Sequence, residues 1–217
     1  MNDVSDLPPV LIVGIGASAG GIEALKELFK AMPSDSGMAF VVIQNLEPSH
    51  ESRMADILGK CTGMKVIQAE DGMPVQADCV YTNPAGRYLS IHAGRLVLSE
   101  RSEQAHIRMP IDFFLTSLSE DQHEGAVCII LSGSSGADGT RGVRAVRGAA
   151  GMCMAQDPET AQFPAMPQSA IDTGLVDHVL PVVQMPAALL GYAQCAQAPA
   201  TSTHTAITRS RYILVTS

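Results

Sequence analysis

Tryptophan is absent from this chain, and aromatic side chains make up only 4% of its 217 residues although 46% are hydrophobic. A core has to come from aliphatic side chains, and the length suits one α/β domain. Basic residues are also scarce: 14 Lys and Arg face 22 Asp and Glu, for a formal charge of -8 and a pI near 5.1. An acidic chain is repelled by nucleic acid and by anionic membrane surfaces, which removes both as general partners. No C-x-x-C spacing links Cys61, Cys79, Cys128, Cys153 and Cys195, and their odd number leaves at least one unpaired. A reduced cytoplasmic setting is expected, not a disulfide framework. No apolar stretch approaches the roughly 20 residues that cross a bilayer, and residues 1–6 are acidic where a secretory signal would be basic. No metal cluster or cofactor is expected, and no membrane insertion.

What is present is a βα rhythm. The apolar run at residues 10–13 reads as a strand. The stretch 21–32 reads as a helix with Ile22, Leu25, Leu28 and Phe29 on one face. Residues 39–44 form an unbroken apolar strand suited to burial on both sides. A helix over 51–60 and a strand near 65–68 continue the pattern. Between Asp71 and Arg101 the texture changes to short β segments, with a hairpin of residues 88–91 and 96–98 around the turn 92–95. Pro110 opens a helix through Phe113, Phe114, Leu115 and Leu118, with Asp112 suited to its positive end. Then follow a strand at 126–131, a Gly- and Ser-rich loop at 132–139, and a helix at 140–148. A strand at 152–156, a short helix at 167–173, a β segment at 176–180 and a helix at 185–194 complete the pattern. The fold class expected is α/β, a doubly wound, mostly parallel sheet with an inserted antiparallel hairpin. Residues 1–9 read as an extension, 10–195 as the domain, and 196–217 as a disordered tail.

Gly16-Ala17-Ser18-Ala19-Gly20 stands where the first strand turns into its helix, and fits the G-x-S-x-G nucleophile elbow. Such a turn holds a serine hydroxyl out toward a substrate, but the hydroxyl needs a base to take its proton. The strand ends carrying Gln44-Asn45 and Asp138 are the other places from which a triad would be assembled. Taken singly, Ser18 also suits a tight turn or a helix N-cap, Asp138 a turn or a cap before the helix at Thr140, and Met152, Met154 and Met166 core filling. Gly14-x-Gly16-x-x-Ala19 fits a dinucleotide fingerprint as well, but the acidic residue that should meet a ribose is missing from the end of the next strand.

Taken together, these residues resemble the CheB-type chemoreceptor methylesterases from about Val10 to Gln194. The likeness rests on residues 14–21, on Val41 to Gln44 with Pro48-Ser-His-Glu-Ser52, and on Val80-Tyr81 with Asn83-Pro84. It continues in Pro110-Ile-Asp112, Leu131-Ser-Gly133 with Asp138-Gly139, Gln156-Asp-Pro-Glu-Thr160, and Met166-Pro167 with Ser169-Ala170. Several wordings are most similar to domains that precede a CheR-type methyltransferase. The resemblance implies hydrolysis of glutamyl methyl esters on methyl-accepting chemoreceptors, with glutamine deamidation as a companion activity. It makes Ser18 the nucleophile and Asp138 the triad acid, and names a chemoreceptor and a CheR-type domain as partners. No receiver domain is expected ahead of the strand at residue 10.

Two departures stand out. The family's triad histidine follows the Val-Ile-Gln run, where this chain has Asn45; an asparagine amide cannot accept the serine proton at neutral pH. His50 belongs to the family's own wording, and His92, His106, His123, His178 and His204 read as surface residues. The loop before Asp138 is one residue longer than the family's, which bears on the oxyanion donors expected near Ala19, Ser134, Ser135 and Gly136. The expectation is a methylesterase-type hydrolase impaired at its base; the alternative is a non-catalytic signalling module that keeps the fold and the receptor-binding surface.

Overall fold

Period-two alternation along the central strand separates two cores. In the computed structural model, which describes residues 10–44, 53–100, 109–134 and 136–197, β1 (Ile12–Ala17) is buried along its whole length. Val13, Ile15 and Ala17 point into one apolar layer and Ile12 into the other. Burial on both faces explains why this and the neighbouring strands read as unbroken apolar runs.

Seven strands form one parallel sheet in the order β3-β4-β2-β1-β7-β8-β9. They are β1, β2 (Ala39–Gln44), β3 (Lys65–Gln68), β4 (Cys79–Thr82), β7 (Ala126–Ile130), β8 (Met152–Gln156) and β9 (His178–Leu180). The register runs from Ile12 opposite Ala39 to Ala17 opposite Gln44 on one side of β1, and from Ile12 opposite Ala126 to Gly16 opposite Ile130 on the other. An antiparallel hairpin, β5 (Arg87–His92) and β6 (Arg95–Glu100), forms a second, two-stranded sheet. One sheet face is covered by α1 (Gly21–Ala31), α2 (Met54–Leu58) and α6 (Met185–Gln197). The other is covered by α3 (Pro110–Gln122), α4 (Thr140–Gly148), α5 (Ala165–Ile171) and the hairpin. This is the doubly wound fold with an inserted hairpin.

The first strand is longer than its apolar start suggests, because Gly14 and Gly16 belong to it. Helix α3 lies directly over them: a β-carbon on Gly14 would come 2.7 Å from Leu115 Cδ2, and one on Gly16 would come 2.5 Å from Ile111 Cγ2. Helix packing thus accounts for the two glycines that the dinucleotide fingerprint would claim.

Other differences have local causes. The segment 71–101 is not all antiparallel, since Cys79–Thr82 is an inner parallel strand between β3 and β2. Four residues between Asp78, at φ 58, and Asn83 leave little pattern to read. Ile22, in the first turn of α1, is 37% exposed and lines a cleft instead of packing in the core. Helix α5 starts two residues earlier than expected, and α6 continues through Ala196 to Gln197. Residues 1–9 and 198–217 lie outside the described residues, as do residues 51 and 52 of the expected second helix. Met152, Met154 and Met166 are buried in the core. All five cysteines are free, no described helix is long and apolar enough to cross a membrane, and the described residues contain no cluster fit to hold a metal ion.

Candidate active site

The order in which the chain adds strands reverses at the centre of the sheet. The chain leaves β1 through α1 toward β2 on one side, and leaves β7 through α4 toward β8 on the other. A crevice opens outside the carboxyl ends of strands at such a switch point. Ser18 follows β1 there, and the loop from Leu131 to Gly139 follows β7.

The elbow is held mainly by backbone. Ser18 N–H donates to Ser132 C=O at 3.0 Å, and Gly21 N–H donates to Ser18 C=O at 2.9 Å. Gly20 sits at φ 71, and a β-carbon there would lie 2.8 Å from both Gln162 Oε1 and Ser132 Oγ. Left-handed backbone and close approach thus both call for glycine. Helix α1 starts immediately, which places its positive end at Ser18, and the Ala19 N–H has no hydrogen-bond partner among the described residues. The amide after the nucleophile is one of the oxyanion donors of this turn type.

Across the crevice, Ser132 is a buried junction. Its Oγ donates to Ala19 C=O at 2.9 Å and accepts from Phe163 N–H at 3.0 Å, while its N–H donates to Gln156 Oε1 at 2.9 Å. Gln156 Nε2 reaches on to Thr160 C=O at 3.1 Å. Gly133 N–H donates to Phe163 C=O at 3.0 Å, and a β-carbon on Gly133 would collide with Met166 and come 3.0 Å from Ser18 Cβ. Among the described loop residues Gly133 is therefore packed on Ser18. Ser134 is exposed, Gly136 faces Ser169 and Ala165 of α5, and Ser135 lies outside the described residues.

A cleft of about 410 Å³ opens over the elbow. It is lined by Ser18, Ala19 and Gly20 of the elbow, by Ile22 and Glu23 of α1, and by Gln44 and Gln162. A wider groove of about 570 Å³ near Gln68, Glu70, Asp71 and Arg87 is lined by no serine, threonine or cysteine. Sequence reasoning missed Gln162 and Glu23, for which no pattern exists. Gln156 and Thr160 stand inside a family wording that by itself assigns them no role.

Asp138 and Asp112 exchange helix caps. The carboxylate of Asp138, 2% exposed, accepts from the α3 amides of Asp112 at 3.0 Å and Ile111 at 3.4 Å. Asp112 Oδ1 in turn accepts from Gly139 N–H at 3.0 Å and Gly142 N–H at 2.8 Å, where α4 begins. Asp138 thus caps α3 and not the helix that follows it, and Asp112 serves α4 and not its own helix. The first-turn amides of α3 are already occupied by Asp138. Asp112 Oδ2 is buried without a hydrogen-bond partner. Burial pushes the Asp138 pKa up to about 6, and the nearby Asp112 carboxylate adds to the rise against the backbone amides of Asp112, Ile111 and Gly139. Burial also raises Asp112. Two amide bonds leave lone pairs on Asp138 for a further donor.

Asn45, the next residue after cleft-lining Gln44, lies outside the described residues, as do His50, His106 and His204. His92 sits at the hairpin turn, His123 at the end of α3 and His178 on β9; among the described residues no histidine lines the cleft.

With a serine elbow at the switch point and a capped aspartate on the loop after β7, similarity to known proteins becomes decisive. Residues 13–189 match the family model described as CheB methylesterase. The chain belongs to that family. A crystal structure of the Thermotoga maritima CheB methylesterase catalytic domain superposes with a TM-score of 0.78 at 30% identity, over 85% of this chain and 100% of that one. The Thermotoga maritima protein-glutamate methylesterase/protein-glutamine glutaminase is 32% identical over 183 residues, which is 82% of this chain and 53% of the relative. A Leptospira interrogans relative, named as a putative enzyme of the same kind, is 30% identical over 167 residues, covering 76% of this chain and 86% of its own length. The chain thus spans about half of the Thermotoga CheB protein but all of its catalytic domain.

Proposed function

We propose that this CheB-type domain acts on methylated chemoreceptors as a glutamyl methyl esterase, with glutamine side chains as a second substrate class, and that its turnover is limited at the base. The observation that carries this is Ser18 on the β1–α1 elbow, lining the cleft at the switch point of the sheet. In the reaction, Ser18 Oγ bonds to the ester carbonyl carbon, its proton passes to a base, and methoxide leaves as methanol once protonated. Water then cleaves the acyl-serine to release glutamate and restore the hydroxyl. The Ala19 N–H, at the positive end of α1, is placed to stabilise the oxyanion. Asp138 would orient and charge-stabilise a histidine at position 45.

With Asn45 at that position the serine proton has no acceptor. Loss of a triad histidine leaves only the acceleration due to binding and the oxyanion hole, lower by several orders of magnitude. The amide of Asn45, in place of a proton-accepting side chain, also supports a second reading, a signalling module that binds the receptor without turnover.

Methanol release from methylated chemoreceptor, measured at neutral pH for the unmodified protein and its Asn45→His and Ser18→Ala variants, separates the readings. We expect little turnover by the unmodified protein, a gain of at least about a hundredfold on Asn45→His, and none when Ser18→Ala is added. Brisk turnover by the unmodified protein that Ser18→Ala abolishes would mean that another group activates Ser18. Silence in every variant, with receptor binding retained, would leave the binding module.

A further inference from the structure

Gln44, at the very end of β2, has a neighbour on both sides. On one side Gln44 is in register with Ala17, the residue before Ser18. On the other side the ladder runs out, because the β4 pairing ends with Thr82 opposite Val42. The side chain of Asn83 takes over at that point. Its Oδ1 accepts from Gln44 N–H at 2.8 Å and its Nδ2 donates to Gln44 C=O at 2.9 Å. Asn83 is 2% exposed, and its own N–H still donates to Val42 C=O at 3.3 Å.

A carboxamide presents the same donor and acceptor pair as a peptide group, so Asn83 supplies the ladder rung that the chain lacks after it turns at Pro84. Without it, buried Gln44 would keep an unpaired N–H and C=O, and the strand end would shift to reach water. Gln44 lines the same cleft as Ser18, so a shift there changes the cleft itself.

We propose that Asn83 is a positioning residue for the Ser18 cleft: its side-chain amide replaces a missing strand residue and fixes the end of β2 opposite the serine elbow. This rests on reading the cleft as the receptor-binding site.

Asn83→Asp provides a test that a merely space-filling role would not answer. The carboxyl group introduced by that substitution keeps one oxygen to accept from Gln44 N–H, but its second oxygen faces the Gln44 carbonyl. The contact is repulsive while the carboxyl is ionised and becomes a hydrogen bond once it is protonated, and burial favours protonation at mildly acidic pH. Binding of a methylated chemoreceptor signalling fragment is measured by calorimetry at pH 8 and pH 5, with the unmodified protein as reference at each pH and thermal melts to verify folding. Exchange of the Gln44 amide hydrogen is followed in parallel, corrected for its intrinsic pH dependence.

The expected result for Asn83→Asp is roughly tenfold weaker binding at pH 8, recovery toward the unmodified protein at pH 5, and accelerated Gln44 exchange only at pH 8. Binding and exchange equal to the unmodified protein at both values would overturn the inference, and so would an equal loss at both in a folded variant. If the unmodified protein fails to bind the fragment, the receptor-binding reading falls. Gln44 exchange then decides the clamp alone, a pH-dependent loss of protection supporting it and unchanged protection rejecting it.

Discussion

Replacing Asp138 by asparagine isolates the electrostatic cost of a buried carboxylate. Burial lifts its pKa from an ordinary 3.8 to about 6, with Asp112 adding to the rise and the amide bonds from α3 opposing it. The folded value lies above the unfolded one, so the native state binds more protons between them, and stability falls as pH rises through that window. Linkage between these values gives a loss of about 1.4 kcal/mol from pH 5 to pH 7, with a ceiling of about 3 kcal/mol between full protonation and full ionisation. Asp112, also raised by burial, adds to the same sign. The Asp138→Asn variant has no ionisable group at this position and keeps one acceptor oxygen for the α3 amides. Urea unfolding at pH 5, 6 and 7 is expected to show the unmodified protein gaining about 1.4 kcal/mol relative to Asp138→Asn as pH drops from 7 to 5. A difference independent of pH would refute the reasoning. A difference of opposite sign would mean that the amide bonds outweigh desolvation.

Gly16→Ala is expected to destabilise by about 1–3 kcal/mol in urea unfolding, because its β-carbon would stand 2.5 Å from Ile111 Cγ2 under α3; an unchanged midpoint would show that α3 can lift at little cost. Gln156→Leu removes the acceptor of the buried Ser132 N–H and the donor to Thr160. A loss of about 1–3 kcal/mol in the same assay is expected from the groups left unpaired, and an unaltered protein would mean that water replaces the amide. The methanol-release comparison of Asn45→His with Ser18→Ala supplies the functional counterpart: Asn45→His is expected to gain at least about a hundredfold, and no gain would indicate that the longer loop, and not the base alone, limits turnover.

Much of the fold was legible because its signals are local. The strand expected near 65–68 is β3, exposed at both ends, and the helix expected over 140–148 is α4. Unbroken apolar runs at 39–44 and 152–156 give β2 and β8 with their observed bounds. Apolarity over these lengths in a βα rhythm admits only strands covered on both faces. The short strand β4 was hidden within a turn-rich region, since four residues carry too little periodicity to separate from a hairpin. Ile22 had the right period for the core, but it lines the cleft beside Ser18, which only the tertiary structure forms.

At the site, the serine elbow could be recognised from Gly16 to Gly20 because a sharp strand-to-helix turn demands small residues in fixed order. The expectation that Asn45 leaves Ser18 without a base rests on the sequence alone, because an amide does not take up a proton at neutral pH. Only the tertiary structure decided what each polar group touches. Asp138 meets α3 across 26 residues of chain, Asp112 meets α4, and Asn83 meets Gln44 across 39. Hydrogen-bond partners at such separations are chosen by the packing of helices and strands, and leave no mark in the spacing of the residues that make them.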